Sequence, residues 1–145
     1  MFLGQYQHNL DNKGRLTIPA RYRELLDDGA FVTQGFDRNL IVMTISAFDA
    51  FSQRVKVMSI TDSKARLLRR LLFSNGERVD VDKAGRILIP QFLRQAANLD
   101  GEVAVVGVGD YFEIWSPDDW ADQVIKLQDV EANADLFSVF DISSG

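Results

Sequence analysis

The sequence has no cysteine, a single histidine (His8), only three prolines, and no apolar run approaching the ~20 residues that a membrane-spanning helix needs. Without cysteine there is no disulfide and no thiolate metal site, which fits a reducing compartment. One histidine, with acids that fall mainly in turns and at helix starts, supplies neither a metal cluster nor a catalytic triad. The Gly-Arg segments lack the multiple glycines of a phosphate loop. An enzyme is therefore not expected, and neither is a cofactor, a metal or a small-molecule substrate. The first residues, Met1 to His8, show no basic stretch followed by an apolar one, so the chain reads as soluble and intracellular, with no membrane partner.

Net charge is −5, which at first sight argues against nucleic acid, but the charge is unevenly spread. Residues 1–97 carry 15 Lys/Arg against 10 Asp/Glu, whereas residues 98–145 carry one Lys against 11 acids. Such a split is compatible with one cationic binding surface and a separate acidic edge or tail.

What the chain does have is an internal repeat. Asp11-Asn12-Lys13-Gly14-Arg15-Leu16-Thr17-Ile18-Pro19 returns as Asp82-Lys83-Ala84-Gly85-Arg86-Ile87-Leu88-Ile89-Pro90, and Arg23 returns as Arg94. Gly29, Gly35 and Phe48 match Gly101, Gly107 and Trp120 one place further along, so one residue has been inserted. The repeats span 5–47 and 76–119, with a helical connector at 48–75 and a C-terminal helix and acidic tail at 120–145. A unit of this size buries too little surface to stand alone, so the two copies are expected to pack together as an intramolecular pseudo-dimer.

Each copy reads as strand, glycine turn, strand, proline-initiated helix, two further strands and a closing helix. Tyr6, His8 and Leu10 alternate with Gln5, Gln7 and Asn9, the period of a half-buried strand. Gly14 is expected to supply a positive φ, and Arg15-Leu16-Thr17-Ile18 puts Leu16 and Ile18 inward and Arg15 and Thr17 outward. Pro19 opens a short helix that Gly29 stops. Ala30–Gln34 and Leu40–Ile45 form a hairpin, and Ser46, with Asp49 three residues on, looks like a capping box. In the connector, Leu67, Leu68, Leu71 and Leu72 make an apolar side and Arg66, Arg69 and Arg70 the other, which reads as a solvated face or as a phosphate- or subunit-contacting one. The second copy gives strands at Arg78–Val81, Arg86–Ile89, Glu102–Val108 and Tyr111–Trp115, a helix from Pro90 to Ala97, and a helix started by Ser116-Pro117-Asp118-Asp119. From Asp129 the pattern thins to a short docked helix or a mobile tail with a polar end.

The binding candidates gather at the first motif: Lys13, Arg15, Arg21 and Arg23 place four cations in eleven residues. An arginine fork can pair with guanine O6 and N7 in the major groove while neighbouring cations hold phosphates. The competing reading is that Asp11 and Asp82 pair with these arginines and only brace the turn. Thr17 becomes Leu88 in the second copy, so the two outward faces need not do the same job.

These residues resemble the MraZ family, whose members carry two tandem SpoVT-AbrB-type domains. Asp11 to Arg15, Ile18-Pro19 and Arg23 match its first motif and Asp82 to Pro90 its second, with Met1-Phe2, His8-Asn9 and Leu10-Asp11 also in place. The resemblance implies an α+β, β-rich fold, a pseudo-symmetric swapped-hairpin β-barrel with peripheral helices. It implies a ring-shaped homo-oligomer that binds double-stranded DNA at G-rich direct repeats, repressing the division and cell-wall gene cluster that includes its own gene. The location implied is the cytoplasm, at the nucleoid. By carry-over Arg15 is the leading DNA contact with Lys13 beside it, and Arg86 and Lys83 match by position, with Arg21 and Arg23 as secondary phosphate contacts. An alternative within the same fold is an oligomeric scaffold or antitoxin-like partner in which Arg15 and Arg86 make protein contacts.

Overall fold

The computed structural model describes residues 1–142; residues 143–145, the last part of the polar end, lie outside the described region. Eight strands form among the described residues: β1 (Gln5–Asn9), β2 (Arg15–Thr17), β3 (Ala30–Gln34), β4 (Leu40–Thr44), β5 (Glu77–Val79), β6 (Arg86–Leu88), β7 (Glu102–Gly107) and β8 (Tyr111–Trp115). The helices are α1 (Ala20–Arg23), α2 (Ile45–Lys56), α3 (Ser63–Ser74), α4 (Gln91–Ala96), α5 (Pro117–Gln128) and α6 (Val130–Phe137). No helix among the described residues is long and apolar enough to cross a membrane.

The two copies exchange strands. β1 of the first copy pairs antiparallel with β7 of the second, and β5 of the second pairs with β3 of the first. β4 and β8 join the two hairpins in the middle, giving a six-stranded sheet in the order β1-β7-β8-β4-β3-β5. β2 and β6 pair with each other as a separate two-stranded ribbon. Neither copy could complete its sheet without the other. The pseudo-dimer is therefore built into the hydrogen bonding as well as the packing.

A closed barrel, in contrast, does not form: the six-stranded sheet ends at β1 on one side and β5 on the other. Pro19 and Pro90 follow the ribbon strands almost at once and start helices, so β2 and β6 stop after three residues, and they pair with each other across the pseudo-axis instead of extending an edge of the sheet.

One face of the sheet, with Ala30, Val32, Leu40, Val42, Val103, Val105, Phe112 and Ile114, meets Leu16, Ile18, Ile87 and Ile89 from the ribbon and Tyr22 and Leu93 from the short helices in one core. Leu16 and Ile87 are 0% and 1% exposed, so each contributes roughly 1.5–3 kcal/mol of apolar burial. The long helices lie on the opposite face, over Met43, Ala104, Val106 and Trp115.

Several local expectations shift. α2 is capped by Thr44, whose Oγ1 accepts from the Ala47 N–H at 3.1 Å, rather than by Ser46, because Thr44 already has the extended backbone of a strand end. The helix after Pro19 is four residues of α followed by a 3-10 turn at Glu24–Leu26. α3 buries Ala65 and Leu72, while Leu67 is 67% exposed, so its leucines do not share one side. The strand pairing sets Phe31 opposite Met43 and Ala104 opposite Trp115, which matches β3 to β7 one residue beyond the spacing of the glycines. The tail forms α6, capped by Asp129, but none of its residues is buried.

Candidate nucleic-acid interface

The ribbon packs its inner face against the sheet together with the short helices. Its register sets Arg15 opposite Leu88, Leu16 opposite Ile87 and Thr17 opposite Arg86. Because side chains alternate along a strand, the buried Leu16–Ile87 pair forces Arg15, Thr17, Arg86 and Leu88 onto the outer face. The two arginines stand diagonally across that face. Pairing continues past the strands: the Ile18 N–H donates to the Gly85 carbonyl at 2.8 Å and the Ile89 N–H to the Gly14 carbonyl at 2.9 Å.

Each turn is built around its aspartate. Asp11 Oδ1 accepts from the N–H groups of Lys13 (3.0 Å) and Arg15 (2.8 Å), and its Oδ2 takes the Arg15 Nε–H at 2.6 Å. Asp82 repeats this with Ala84 (2.9 Å), the Arg86 N–H (2.9 Å) and Arg86 Nε (3.0 Å). These bonds, foremost those from the N–H groups of Arg15 and Arg86, hold both carboxyls below the usual carboxylate range. The pairing of acid and arginine that competes with DNA contact is thus real. In both pairs it engages Nε, and so fixes the plane of the guanidinium fork. The copies differ in one respect: Arg86 Nη1 also lies 3.8 Å from Asp11 Oδ2, so Asp11 is shared between both arginines.

Gly14 and Gly85 have φ of 81° and 79°, the left-handed region. They also admit an arginine from the opposite copy. A Cβ on Gly14 would sit 2.6 Å from Arg94 Cζ, and one on Gly85 would overlap the Arg23 guanidinium. Arg23 Nε donates to the Ile18 carbonyl at 2.8 Å and Arg94 Nε to the Ile89 carbonyl at 3.0 Å. Arg23 therefore clasps its own strand end and covers the other copy's turn. That positioning role could have been read from its recurrence as Arg94.

Lys13 and Lys83 are exposed in the two turns and Arg21 is exposed on α1. Antiparallel pairing puts the turns at opposite ends of the ribbon, so Lys13 lies near Arg15 and Lys83 near Arg86. By hydrogen bonding Lys13 matches Ala84, so the lysines sit one place apart in their turns. In the connector, Arg66 donates to the Ile60 carbonyl at 2.9 Å, which turns it back onto its own loop. Leu88, 53% exposed between the arginines, is the residue that sequence reasoning noticed without assigning a role.

The family model for MraZ protein, whose description likens it to antitoxins, matches residues 1–71 and again 72–139. The chain belongs to the MraZ family. Among its relatives, the protein named Transcriptional regulator MraZ of Roseiflexus castenholzii is 42% identical over 95% of this chain and 94% of its own. That of Thermomicrobium roseum is 45% identical over 88% of this chain and 89% of its own. That of Dictyoglomus thermophilum is 46% identical over 83% and 82%. The two matched MraZ units meet at residues 71 and 72, within the last turns of α3, so each unit contains one ribbon strand and lends one strand to the other's hairpin.

Proposed function

We propose that this MraZ-family chain is a sequence-specific DNA-binding transcriptional regulator that reads the major groove with the β2–β6 ribbon. The observation that carries the reading is the ribbon's outer face, where Arg15 and Arg86 stand on one surface with their forks oriented by Asp11 and Asp82. A two-stranded ribbon fits a groove about 12 Å wide, and an oriented arginine fork matches guanine O6 and N7. Arg15 is the leading base contact, supported by Lys13; Arg86 and Lys83 act from the other strand, and Arg21 and Arg23 are secondary phosphate contacts. That these relatives are named transcriptional regulators supports the same function.

The finer reading follows the family. The operators are G-rich direct repeats, the protomers act as a homo-oligomeric ring, and the outcome is repression of the division and cell-wall gene cluster, including the protein's own gene, at the nucleoid. Four ribbon cations per protomer make few phosphate contacts, and several protomers on spaced repeats gain avidity through effective concentration. Steep salt dependence and a strict repeat spacing are the corresponding signatures. Arg15→Ala should keep fold and assembly while losing ~5- to 150-fold in binding to the upstream DNA by gel shift, the span of one bidentate arginine–guanine contact. Unchanged affinity would assign Arg15 to bracing the turn, and the ribbon to the scaffold or antitoxin-like role.

A further inference from the structure

We infer that Leu88 reads a thymine methyl group in the base pair next to the one Arg15 contacts, and that it gives the ribbon's readout a direction. This rests on the DNA-binding reading above and adds to it the identity of a second base.

The ribbon's outer face consists of two cross-strand pairs, Arg15 with Leu88 and Thr17 with Arg86. A strict two-fold repeat would give an Arg–Thr pair twice, and a face with that symmetry reads a palindrome. The chain departs from it at one position only. Where the first copy has the half-buried Thr17, the second has Leu88, 53% exposed, directly between two cations on a face whose other positions are polar. Its inward neighbours Ile87 and Ile89 are 1% and 0% exposed, so the register leaves Leu88 no route into the core.

The chemistry of the groove limits what such a side chain can meet. The edges of the base pairs offer donors and acceptors, and one apolar group, the C5 methyl of thymine. A leucine pressed against the amino group of cytosine or adenine would leave that donor without water or partner, which is costly. Against the thymine methyl it buries apolar surface on both sides. Directly opposed residues in an antiparallel pair have Cβ atoms about 5 Å apart. Base pairs rise about 3.4 Å, so Leu88 reaches the neighbour of the pair read by Arg15. Thr17, beside Arg86, carries a hydroxyl that can bond to any base and a methyl smaller than the leucine side chain, so it imposes a weaker choice. The unit site therefore carries a guanine with a thymine one step away on a fixed side. Repeats of such a site must run in the same orientation to be read by identical protomers.

The test uses the full-length protein and its own upstream DNA, with each thymine in a repeat replaced in turn by deoxyuracil, which removes only the methyl group. One position per repeat should weaken the wild type about fourfold, the factor expected of one buried methyl. L88A, whose side chain stops at Cβ and withdraws from the base edge, should bind the unmodified site about fourfold more weakly and be indifferent to uracil at that position. Circular dichroism and light scattering would check that fold and assembly are kept. Wild-type binding that ignores uracil everywhere, or an L88A protein that still senses it, overturns the assignment while Arg15→Ala continues to test DNA reading. An L88A protein with altered assembly and unaltered base preference overturns it in favour of a subunit contact. If the wild type shows no sequence preference at all, the DNA-binding reading fails, and this inference with it.

Discussion

The two copies hold their turns with the same hydrogen bonds, Asp11 and Asp82 each gathering two N–H groups and an arginine, yet the helical pairs that finish the copies diverge. In the first copy residues 57–62 separate α2 from α3, enough for α3 to turn back onto the sheet. There Leu72 is buried, its carbonyl accepts from Thr33 Oγ1 at 2.8 Å, and Phe73 meets Phe48 edge-on while Phe48 stacks on Phe31 at 4.2 Å. In the second copy Asp129 alone separates α5 from α6, and α6 buries nothing. Ala104 stands where Phe31 stood, and Trp120 leans on Trp115 at 5.7 Å. The repeat has kept the turns, the Ile-Pro steps and the crossed arginines, by which each copy holds the other. It has varied most in the helices that finish each copy.

The largest effect should come from the helix that returns. Leu72→Ala is expected to cost about 2–5 kcal/mol, the range for emptying a buried leucine site, measured by urea denaturation. Ending the chain after Gln128 removes all of α6, which buries none of its residues and is tied to the body by two bonds from Asn133 Nδ2 to the Lys126 and Leu127 carbonyls. That truncation should cost no more than about 1 kcal/mol. Equal losses would mean that α6 supports the body after all and that the copies are finished alike.

The shared part of the repeat is probed by its glycines. Alanine at Gly14 or Gly85 must adopt a left-handed conformation, worth roughly 1–2 kcal/mol, and must also push aside the arginine from the opposite copy. The two variants should lose similar amounts, because Arg94 and Arg23 make matching bonds to Ile89 and Ile18. A large loss at one glycine with none at the other would show that the crossed clasp stabilises a single copy.

The division between shared and private features also explains what the sequence could reveal. The turn glycines, the outward Arg15 and the buried Leu16 and Ile18 followed from local rules, a positive φ and a two-residue period, and they are as expected. The hairpins and the fivefold alternation of β1 were legible for the same reason. Strand exchange was legible through the resemblance; closure was not, because whether β2 pairs with β1 or with β6 is a long-range choice that no local pattern encodes. The charge of Arg23 was legible; its place against Gly85 was not, because that glycine lies in the other copy, more than 60 positions away in the chain. Leu67 on the exposed side of α3 shows the same limit, since the helix's buried face was set by where β3 and α2 lie.

The smallest expected effect lies where the exchanged strands differ. By register His8 in β1 takes the place that Val79 holds in β5: His8 pairs with Val103 and Val79 with Ala30. Val79 is buried, whereas His8 is half-buried beside Tyr6, and its burial, then the nearby Arg23 guanidinium, hold the imidazole below its ordinary value of 6.5. The folded protein therefore binds this proton less readily than the unfolded chain does. Above pH 6.5 both states carry a neutral His8 and it contributes no pH dependence. As pH falls through 6.5 the unfolded state is protonated first, so stability declines until the lowered folded value is passed, and then levels off. The slope cannot exceed one proton. Replacing His8 by valine, the residue of the other copy, should flatten stability between pH 7 and the acid range where carboxylates begin to titrate, as followed by denaturant midpoints. A slope that persists in H8V would place the proton uptake elsewhere and remove His8 as the point where the two exchanged strands part company.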